Sequence, residues 1–305
     1  MNDVLPVADA SDAVRVGGKA HGLRQLVSWG FDVPDAYVIT ADAYGRAISA
    51  ESISGLISDQ AAFSAIRAAI QSAQLDDQLR SGLADAWSAL QAESDGLLAV
   101  ACRSSAIGED SSTASFAGQH DTILGITSLE WLEHAVRQCW ASIWTDQAAA
   151  YRQRTGIPAP AMAVVVQRMA RADVSGVAFS VNPVTGDPSQ VVINSSYGLG
   201  ELIVSGAITP DTFVIDRESG AVLASEISPD KGRMLVLNDD GTVEERPVQP
   251  VLAASASLDE PKVGEVSAAV LRAERMAGTP QDVEWVFEGD RLLLLQSRPV
   301  TTLGS

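Results

Sequence analysis

The stretch that decides the fold is "DVEWVFEGDRLLLLQSRPV", residues 282–300, in which two apolar runs flank the turn residues "EGD". Two strand-like runs joined by a short turn that contains glycine predict a β-hairpin. If Phe287 faces Arg291, then Glu284 lies opposite Leu294 and diagonal to Gln296. Arg298 follows two residues later on the same face. The sequence therefore predicts a carboxylate, an amide and a guanidinium grouped on one side of the last two strands.

This polar group has two interpretations. Polar side chains between apolar strand residues are costly to bury without partners, so the group is either an exposed sheet face or a ligand site. As a site it suits a hard cation, because Glu284 and Gln296 offer the oxygen ligands that Mg²⁺ prefers. Arg298 would then supply charge for a phosphate that the metal bridges.

Three further segments have both a structural and a functional interpretation. "RSSAIGEDSSTASFAGQ", residues 103–119, is a run of small polar residues between two predicted strands, and is either a solvated loop or a segment that contacts a ligand. "GGK", residues 17–19, is a turn with a solvated lysine, or a place where backbone N–H groups approach an anion. It is not a P-loop, since the GxxxxGK[ST] spacing is absent. Gln167 is an exposed strand residue or a ligand contact. The three histidines are scattered and support no metal site or triad.

The order of predicted elements changes character along the chain. Its first part is helix-rich, with a short strand and glycine turn at residues 14–18 before the first helix, and its second part is strand-rich. Helix starts are predicted at Thr40 and at two capping boxes, Thr127 with Glu130 and Ser257 with Glu260. The pattern predicts an α+β protein of two lobes, with the N-terminal lobe at residues 1–185 and the C-terminal lobe at 186–305.

Composition excludes several classes of protein. With 46% hydrophobic residues in 305, the chain is globular and large enough for a sizeable core. Its net charge of −18 argues against general binding to nucleic acid or to anionic membranes. The two cysteines form neither a disulfide framework nor a CxxC metal site. No apolar run reaches the length of about 18 residues that a membrane span needs, and no signal peptide is evident. We expect a soluble cytoplasmic protein.

Taken together, seven segments resemble the N-terminal nucleotide-binding domain of the phosphoenolpyruvate synthase and pyruvate phosphate dikinase family, and their pattern is most similar to the ATP-binding domain of the rifampicin phosphotransferases. They occur in the family's order and cover almost the whole chain: "VGGKAHGL", "VPDAYVITADAY", "RSSAIGEDSSTASFAGQHDT", "VVVQRM", "SGVAFSVNPVTGD", "SSYGLGE" and "DVEWVFEGDRLLLLQSRPVTTL". The resemblance implies an ATP-grasp-like fold in which ATP lies between two lobes. It also implies that residues 104–119 form a mobile loop over the nucleotide phosphates.

The resemblance assigns site residues one by one. Catalytic roles pass to Arg103 and Arg298, and magnesium-ligand roles pass to Glu284 and Gln296. ATP-binding roles pass to Lys19, Arg46, Arg103, Gly118, Gln119, Gln167 and Arg298. Position 102 is Cys where the family more often has Val, a small apolar change on the strand that leaves the assignment of Arg103 intact.

The family also has parts that this sequence does not show. Its members carry a swivelling domain with a phosphate-accepting histidine in a Thr-Ser-His setting, and a domain for the final acceptor. None of His21, His120 and His134 has that setting. The resemblance therefore implies a component that binds Mg-ATP and passes a phosphoryl or pyrophosphoryl group to a histidine on a separate carrier domain or subunit, and from there to a small-molecule acceptor. A stand-alone small-molecule kinase, an ATP-grasp ligase and an ATP-sensing module without turnover are the alternatives.

Overall fold

The computed structural model describes residues 2–49, 51–58, 62–94, 96–107, 122–145 and 161–300. Helices and strands are both abundant, and the chain divides into two compact units. The first unit contains residues 1–24, 35–169 and 239–242, and the second contains residues 25–34, 170–238 and 243–305. The main division follows Met169, whereas the sequence placed it at 185. The reason is that strand 174–179 pairs with the last hairpin and belongs to the second unit's sheet.

The first unit is built on a five-stranded antiparallel sheet in the order β1-β2-β5-β3-β4, counted over the described residues. Its strands are β1 (Val4–Pro6), β2 (Ala36–Ile39), β3 (Val100–Ala106), β4 (Thr122–Ile126) and β5 (Met162–Arg168). Its helices are α1 (Ala13–Ser28), which runs on into the second unit, α2 (Ala41–Ile48), α3 (Glu51–Ser58), α4 (Phe63–Ser72), α5 (Asp77–Ala92) and α6 (Leu129–Ser142).

One face of this sheet forms the larger core of the first unit. Val100, Cys102 and Ala106 of β3, with Val164 and Val166 of β5, are buried in one cluster with side chains of the helices. α5 supplies Leu79, Leu83 and Leu90, whose spacing is that of an amphipathic helix. α6 supplies Leu132, Val136, Cys139 and Trp140. The other face of the sheet, which includes Ser105, Ala163 and Val165, is also buried.

The second unit contains a six-stranded antiparallel sheet in the order β13-β12-β6-β7-β8-β9, again for the described residues. Its strands are β6 (Val174–Phe179), β7 (Gln190–Tyr197), β8 (Asp211–Asp216), β9 (Val222–Glu226), β12 (Gln281–Glu288) and β13 (Arg291–Pro299). β10 (Arg233–Leu237) and β11 (Val243–Pro247) form a separate hairpin, and the short helices are α7 (Glu201–Val204) and α8 (Pro250–Ala253). The long helix α9 (Glu260–Ala277) packs on β12, β6 and β7, and buries Val263, Val266 and Val270.

One predicted helix start is confirmed, and three other local predictions are wrong. Thr40 is the N-cap residue of α2, although its side chain makes no capping hydrogen bond. The caps of α6 and α9 are Ser128 and Asp259, which accept hydrogen bonds from Trp131 N–H and Lys262 N–H, instead of Thr127 and Ser257. The predicted strand at 14–16 is helical, because the Asp12 carboxylate accepts a hydrogen bond from Val14 N–H and starts a helical turn there.

The described residues include no helix that is both long and apolar enough to cross a membrane.

The serine-rich segment was expected to begin as a loop at Ser104. Instead, β3 continues through Ala106, and Ser104 and Ser105 are buried strand residues. The remainder of that predicted loop, from 108 to 119, lies outside the described residues.

Candidate functional site

The second face of the first unit's sheet carries two of the predicted site residues. Ala101 of β3 pairs with Gln167 of β5, and Arg103 pairs with Val165. Side chains alternate along a strand, so Arg103 and Gln167 share the face that is turned away from the core. Cys102 lies on the core face, where burial raises the pKa of its thiol and keeps it protonated.

Gln167 is the most informative residue of this face. It is only 3% exposed, and its Nε2 has no hydrogen-bond partner among the described residues. A buried amide donor without a partner costs free energy, on the order of 1–3 kcal/mol, unless a ligand or water accepts its hydrogen bond. The prediction that Gln167 contacts a ligand is therefore consistent with its environment.

Lys19 follows a kink in α1, and the kinked segment lies next to the same face. Gly17 has φ of 75° and ψ of 173°, which interrupts the helix just before Gly18 and Lys19. Ser105 Oγ donates to Val16 O at 2.8 Å and accepts from Ala20 N–H at 3.2 Å. Ser105 has the same strand parity as Arg103, so the kinked segment is fastened to the face that carries Arg103.

Arg46 lies elsewhere in the first unit. Its guanidinium donates to both carboxylate oxygens of Asp3, at 2.9 and 2.6 Å, and to Asp76 at 3.0 Å. The hydrogen bond with Asp3 raises the pKa of Arg46 further above its usual range. α2 belongs to the helices that cover the core face of the sheet. These contacts favour a structural role, and the predicted ATP-binding role of Arg46 gains no support.

In the second unit the last hairpin groups the predicted residues more closely than the sequence indicated. A β-bulge between Glu284 and Trp285 shifts the register, so that Glu284 pairs directly with Gln296. The predicted pairing with Leu294 was wrong for two reasons. Phe287 faces Leu292 instead of Arg291, and the bulge adds one further residue to β13, which cannot be read from alternation alone. Gln296 is 3% exposed and Glu284 is partly buried. A carboxylate and an amide oxygen thus lie on neighbouring strands of one face.

Arg298 has a partner that the sequence analysis missed. It pairs with Asp282 across the hairpin, and its Nε and Nη2 lie 2.8 and 2.7 Å from Asp282 Oδ2. Asp282 is 7% exposed, so the carboxylate of this ion pair is buried while the Arg298 side chain is partly exposed. Asp282 precedes Glu284 by two residues in the sequence, and strand parity alone places both on one face. The strand alternation that pointed to Glu284 therefore also pointed to Asp282.

Beyond the hairpin the same face continues across the sheet. Glu284 pairs with Val177, Val177 with Asn194, Asn194 with Thr212 and Thr212 with the exposed Glu226. Thr212 Oγ1 donates to Asn194 Oδ1 at 3.0 Å. The hairpin's polar group therefore lies at one end of a partly polar cross-strand row. This row is on the face of the sheet opposite to the one that α9 covers.

Two predicted ligands, Gly118 and Gln119, lie outside the described residues. Within the part of the chain that is described, no three or more His, Cys, Asp or Glu side chains form a metal-binding group. The Glu284 and Gln296 pair still fits Mg²⁺, because this ion commonly takes one or two protein ligands and completes its shell with water and substrate phosphates.

Comparison with known proteins agrees with the resemblance seen in the sequence. Residues 13–305 match the model of the family described as "Pyruvate phosphate dikinase, AMP/ATP-binding domain". The chain belongs to this family. The match extends over both units, and so includes the sheet face with Arg103 and Gln167 as well as the last hairpin of this dikinase-family domain.

Similar proteins carry different names. The prodigiosin synthesizing transferase of Serratia marcescens is 36% identical over 99% of the chain and 34% of its own length. A probable phosphoenolpyruvate synthase of Methanocaldococcus jannaschii is 34% identical over 94% of the chain and 25% of its own length. A rifampicin phosphotransferase of a Streptomyces species is 35% identical over 98% of the chain and 36% of its own length. The dikinase-family domain thus spans about a quarter to a third of these relatives.

Proposed function

We propose that this chain is the Mg-ATP-binding component of a phosphoenolpyruvate synthase-like phosphotransferase. In this proposal it has a two-lobed, ATP-grasp-like arrangement, cleaves ATP, and passes a phosphoryl or pyrophosphoryl group to a histidine on a separate carrier domain or subunit. A small-molecule acceptor then receives the group. The observation that carries the proposal is the pairing of Glu284 with Gln296 beside Arg298, in a domain whose family is described by AMP and ATP binding.

Each residue has a role that follows from its chemistry. Lys19, Arg103 and Arg298 neutralise phosphate charge, and the two arginines can do so with two parallel hydrogen bonds. The buried Gln167 amide donates to the nucleotide, which satisfies its unpartnered Nε2. Gly118 and Gln119 remain predicted phosphate contacts. Phosphoryl transfer depends mainly on positioning and electrostatic stabilisation, so no nucleophile is required on this chain.

Glu284 and Gln296 are the proposed magnesium ligands. When bound, the metal neutralises charge on the phosphate oxygens and aligns them. The chain's contribution is to present one charged and one neutral oxygen ligand on adjacent strands. Burial of Gln296 and the pairing of its strand with β12 hold both side chains on rigid elements. A site built on strands keeps its geometry better than one built on loops.

The transfer step balances without a further reagent. The carrier histidine's ring nitrogen forms a P–N bond as a P–O bond of ATP breaks, and AMP or ADP leaves with the electron pair. The relatives' names differ in product, although the domain is shared. This supports a division of labour in which the acceptor is chosen outside the ATP-binding domain.

Calorimetric titration with ATP, in the presence and absence of Mg²⁺, tests the proposal. Wild type is expected to bind Mg-ATP, while Glu284→Gln and Gln296→Ala lose the Mg²⁺-dependent part of the affinity and remain folded. Glu284→Gln is nearly isosteric, so it removes charge without leaving a cavity. Glu226→Ala is the matched control, because Glu226 lies in the same cross-strand row at the exposed edge strand.

The outcomes separate the alternatives. Equal Mg²⁺ dependence in wild type and both site variants would refute the metal assignment. Binding without turnover in the presence of a histidine carrier would identify an ATP-sensing module. Formation of an amide from a carboxylate and an amine would identify a ligase, and direct phosphorylation of a small molecule would identify a stand-alone kinase.

A further inference from the structure

Ser105 makes a long-range contact from the described part of the serine-rich segment to α1. It is completely buried, and its hydroxyl donates one hydrogen bond to α1 and accepts one from it. The donated bond goes to Val16 O, and the accepted bond comes from Ala20 N–H. These two backbone groups bracket the segment Gly17–Lys19. One side chain of β3 therefore fixes both ends of the segment that carries Lys19.

Gly17 supports this contact independently. A Cβ at Gly17 would lie 2.3 Å from Ser105 O and 2.5 Å from Ser105 Oγ. Its φ of 75° is in the left-handed region, which favours glycine. The close approach of α1 to β3 thus requires a residue without a side chain at position 17.

The contact sets the distance between two proposed phosphate ligands. Arg103 precedes Ser105 by two residues on the same face of β3, a spacing of about 6.6 Å along a strand. Lys19 lies immediately before Ala20, whose N–H is bound by Ser105 Oγ. One hydroxyl therefore links the backbone segments that carry both cations. Fixed spacing of charged groups is what positions a phosphate chain for transfer.

We propose that Ser105 is a positioning residue that holds Lys19 at a set distance from Arg103, and so determines how Lys19 contacts the ATP phosphates. The inference rests on the proposed function, because it assigns Lys19 a phosphate-binding role. Ser105 does not contact the nucleotide. Its effect on binding therefore passes through Lys19, and this distinguishes it from a residue that merely stabilises the fold.

A double-mutant cycle tests this mechanism. Ser105→Ala is expected to weaken Mg-ATP affinity about fivefold or more in the wild-type background, and less than about twofold when Lys19 is already alanine. Ser105→Cys keeps a similar volume but has a weak donor and acceptor, and it is expected to lose affinity likewise. It serves as the second variant if Ser105→Ala does not fold. The matched control is Ser128→Ala, which also removes a serine hydrogen bond to a backbone N–H in the first unit.

The results distinguish a failure of the proposed function from a failure of the positioning role of Ser105. If wild type does not bind Mg-ATP, the proposed function falls, and the inference falls with it. If wild type binds and Lys19→Ala weakens binding, but Ser105→Ala changes affinity equally in both backgrounds, the function stands and the positioning role is refuted. The role is also refuted if Ser105→Ala lowers thermal stability as Ser128→Ala does while affinity stays unchanged, or if Lys19→Ala has no effect.

Discussion

Arg298→Ala is expected to have two separable effects, because Arg298 is both a proposed phosphate ligand and the partner of Asp282. The first effect is on ATP. A charge-assisted hydrogen bond contributes roughly 1.5–3 kcal/mol, so its loss should raise the Kd for Mg-ATP about tenfold or more.

The second effect is on stability. The variant leaves the Asp282 carboxylate, 7% exposed, without its guanidinium. Breaking a fully buried pair costs about 3–5 kcal/mol. Since the Arg298 side chain is 30% exposed, solvent screening reduces the cost, and we expect about 2 kcal/mol of unfolding free energy to be lost.

Urea denaturation and calorimetry measure the two effects separately. Arg291→Ala is the control on the same strand, because Arg291 pairs with Asp32 while both side chains are more than half exposed. It should cost less than about 1 kcal/mol and leave ATP affinity unchanged. Adding Asp282→Asn to Arg298→Ala should restore stability but not affinity. Unchanged ATP affinity in Arg298→Ala would refute the ligand role, and a stability loss no larger than that of Arg291→Ala would refute the buried-pair reasoning.

Three further predictions concern single residues. Arg103→Ala should weaken ATP binding about tenfold, and Arg103→Lys should recover it only in part because lysine lacks the two-pronged donor; calorimetry that shows equal affinities would contradict this. Asp76→Ala should lower stability by about 1 kcal/mol through loss of the α5 cap. Burial raises the pKa of Asp76, but hydrogen bonds from Leu79 N–H and Arg46 outweigh it and lower the pKa overall. The contribution of the carboxylate to the free energy of unfolding should therefore be present above the usual pKa near 4 and disappear as pH falls through the lowered value. Denaturation of wild type and Asp76→Asn at several pH values measures this contribution. Lys231→Met should lose about 3–5 kcal/mol, since Lys231 and Asp211 are both fully buried at 2.7 Å; a loss below about 1 kcal/mol in urea denaturation would show that the hydrogen bonds from Ser228 and Ser257 suffice for Asp211.

Much of the fold could be predicted because its signals are local. The apolar spacing of α5 and the β-branched runs of β5, β6 and β7 are signals of this kind. The errors arose where distant contacts decide. The helical turn at residues 14–16 depends on Asp12 and on the anchoring of Val16 by Ser105, which is 89 positions away in the chain. Capping-box patterns at Thr127 and Ser257 were matched by residue type, while Ser128 and Asp259 make the capping hydrogen bonds.

The sequence predicted which residues belong to the candidate site better than it predicted how they are arranged. Parity placed Glu284, Gln296 and Arg298 on one face, but it does not express where the hairpin turns or that a bulge follows Glu284. Strand pairing brought Gln167 and Arg103 onto one face, a proximity between distant segments that the sequence does not express. The role of Ser105 depends on its contact with α1 in the fold, because nothing in "RSS" distinguishes one serine from the other.

Transfer of label from ATP to a carrier histidine tests the central proposal most directly. ATP labelled at the β- and γ-phosphates would be incubated with the histidine-domain protein of the same cell, with and without this chain. The proposal predicts acid-labile, base-stable label on a histidine of the carrier only when the chain is present, and its loss with Glu284→Gln. A carrier that stays unlabelled while the chain binds Mg-ATP, or label that appears equally with Glu284→Gln, would contradict it.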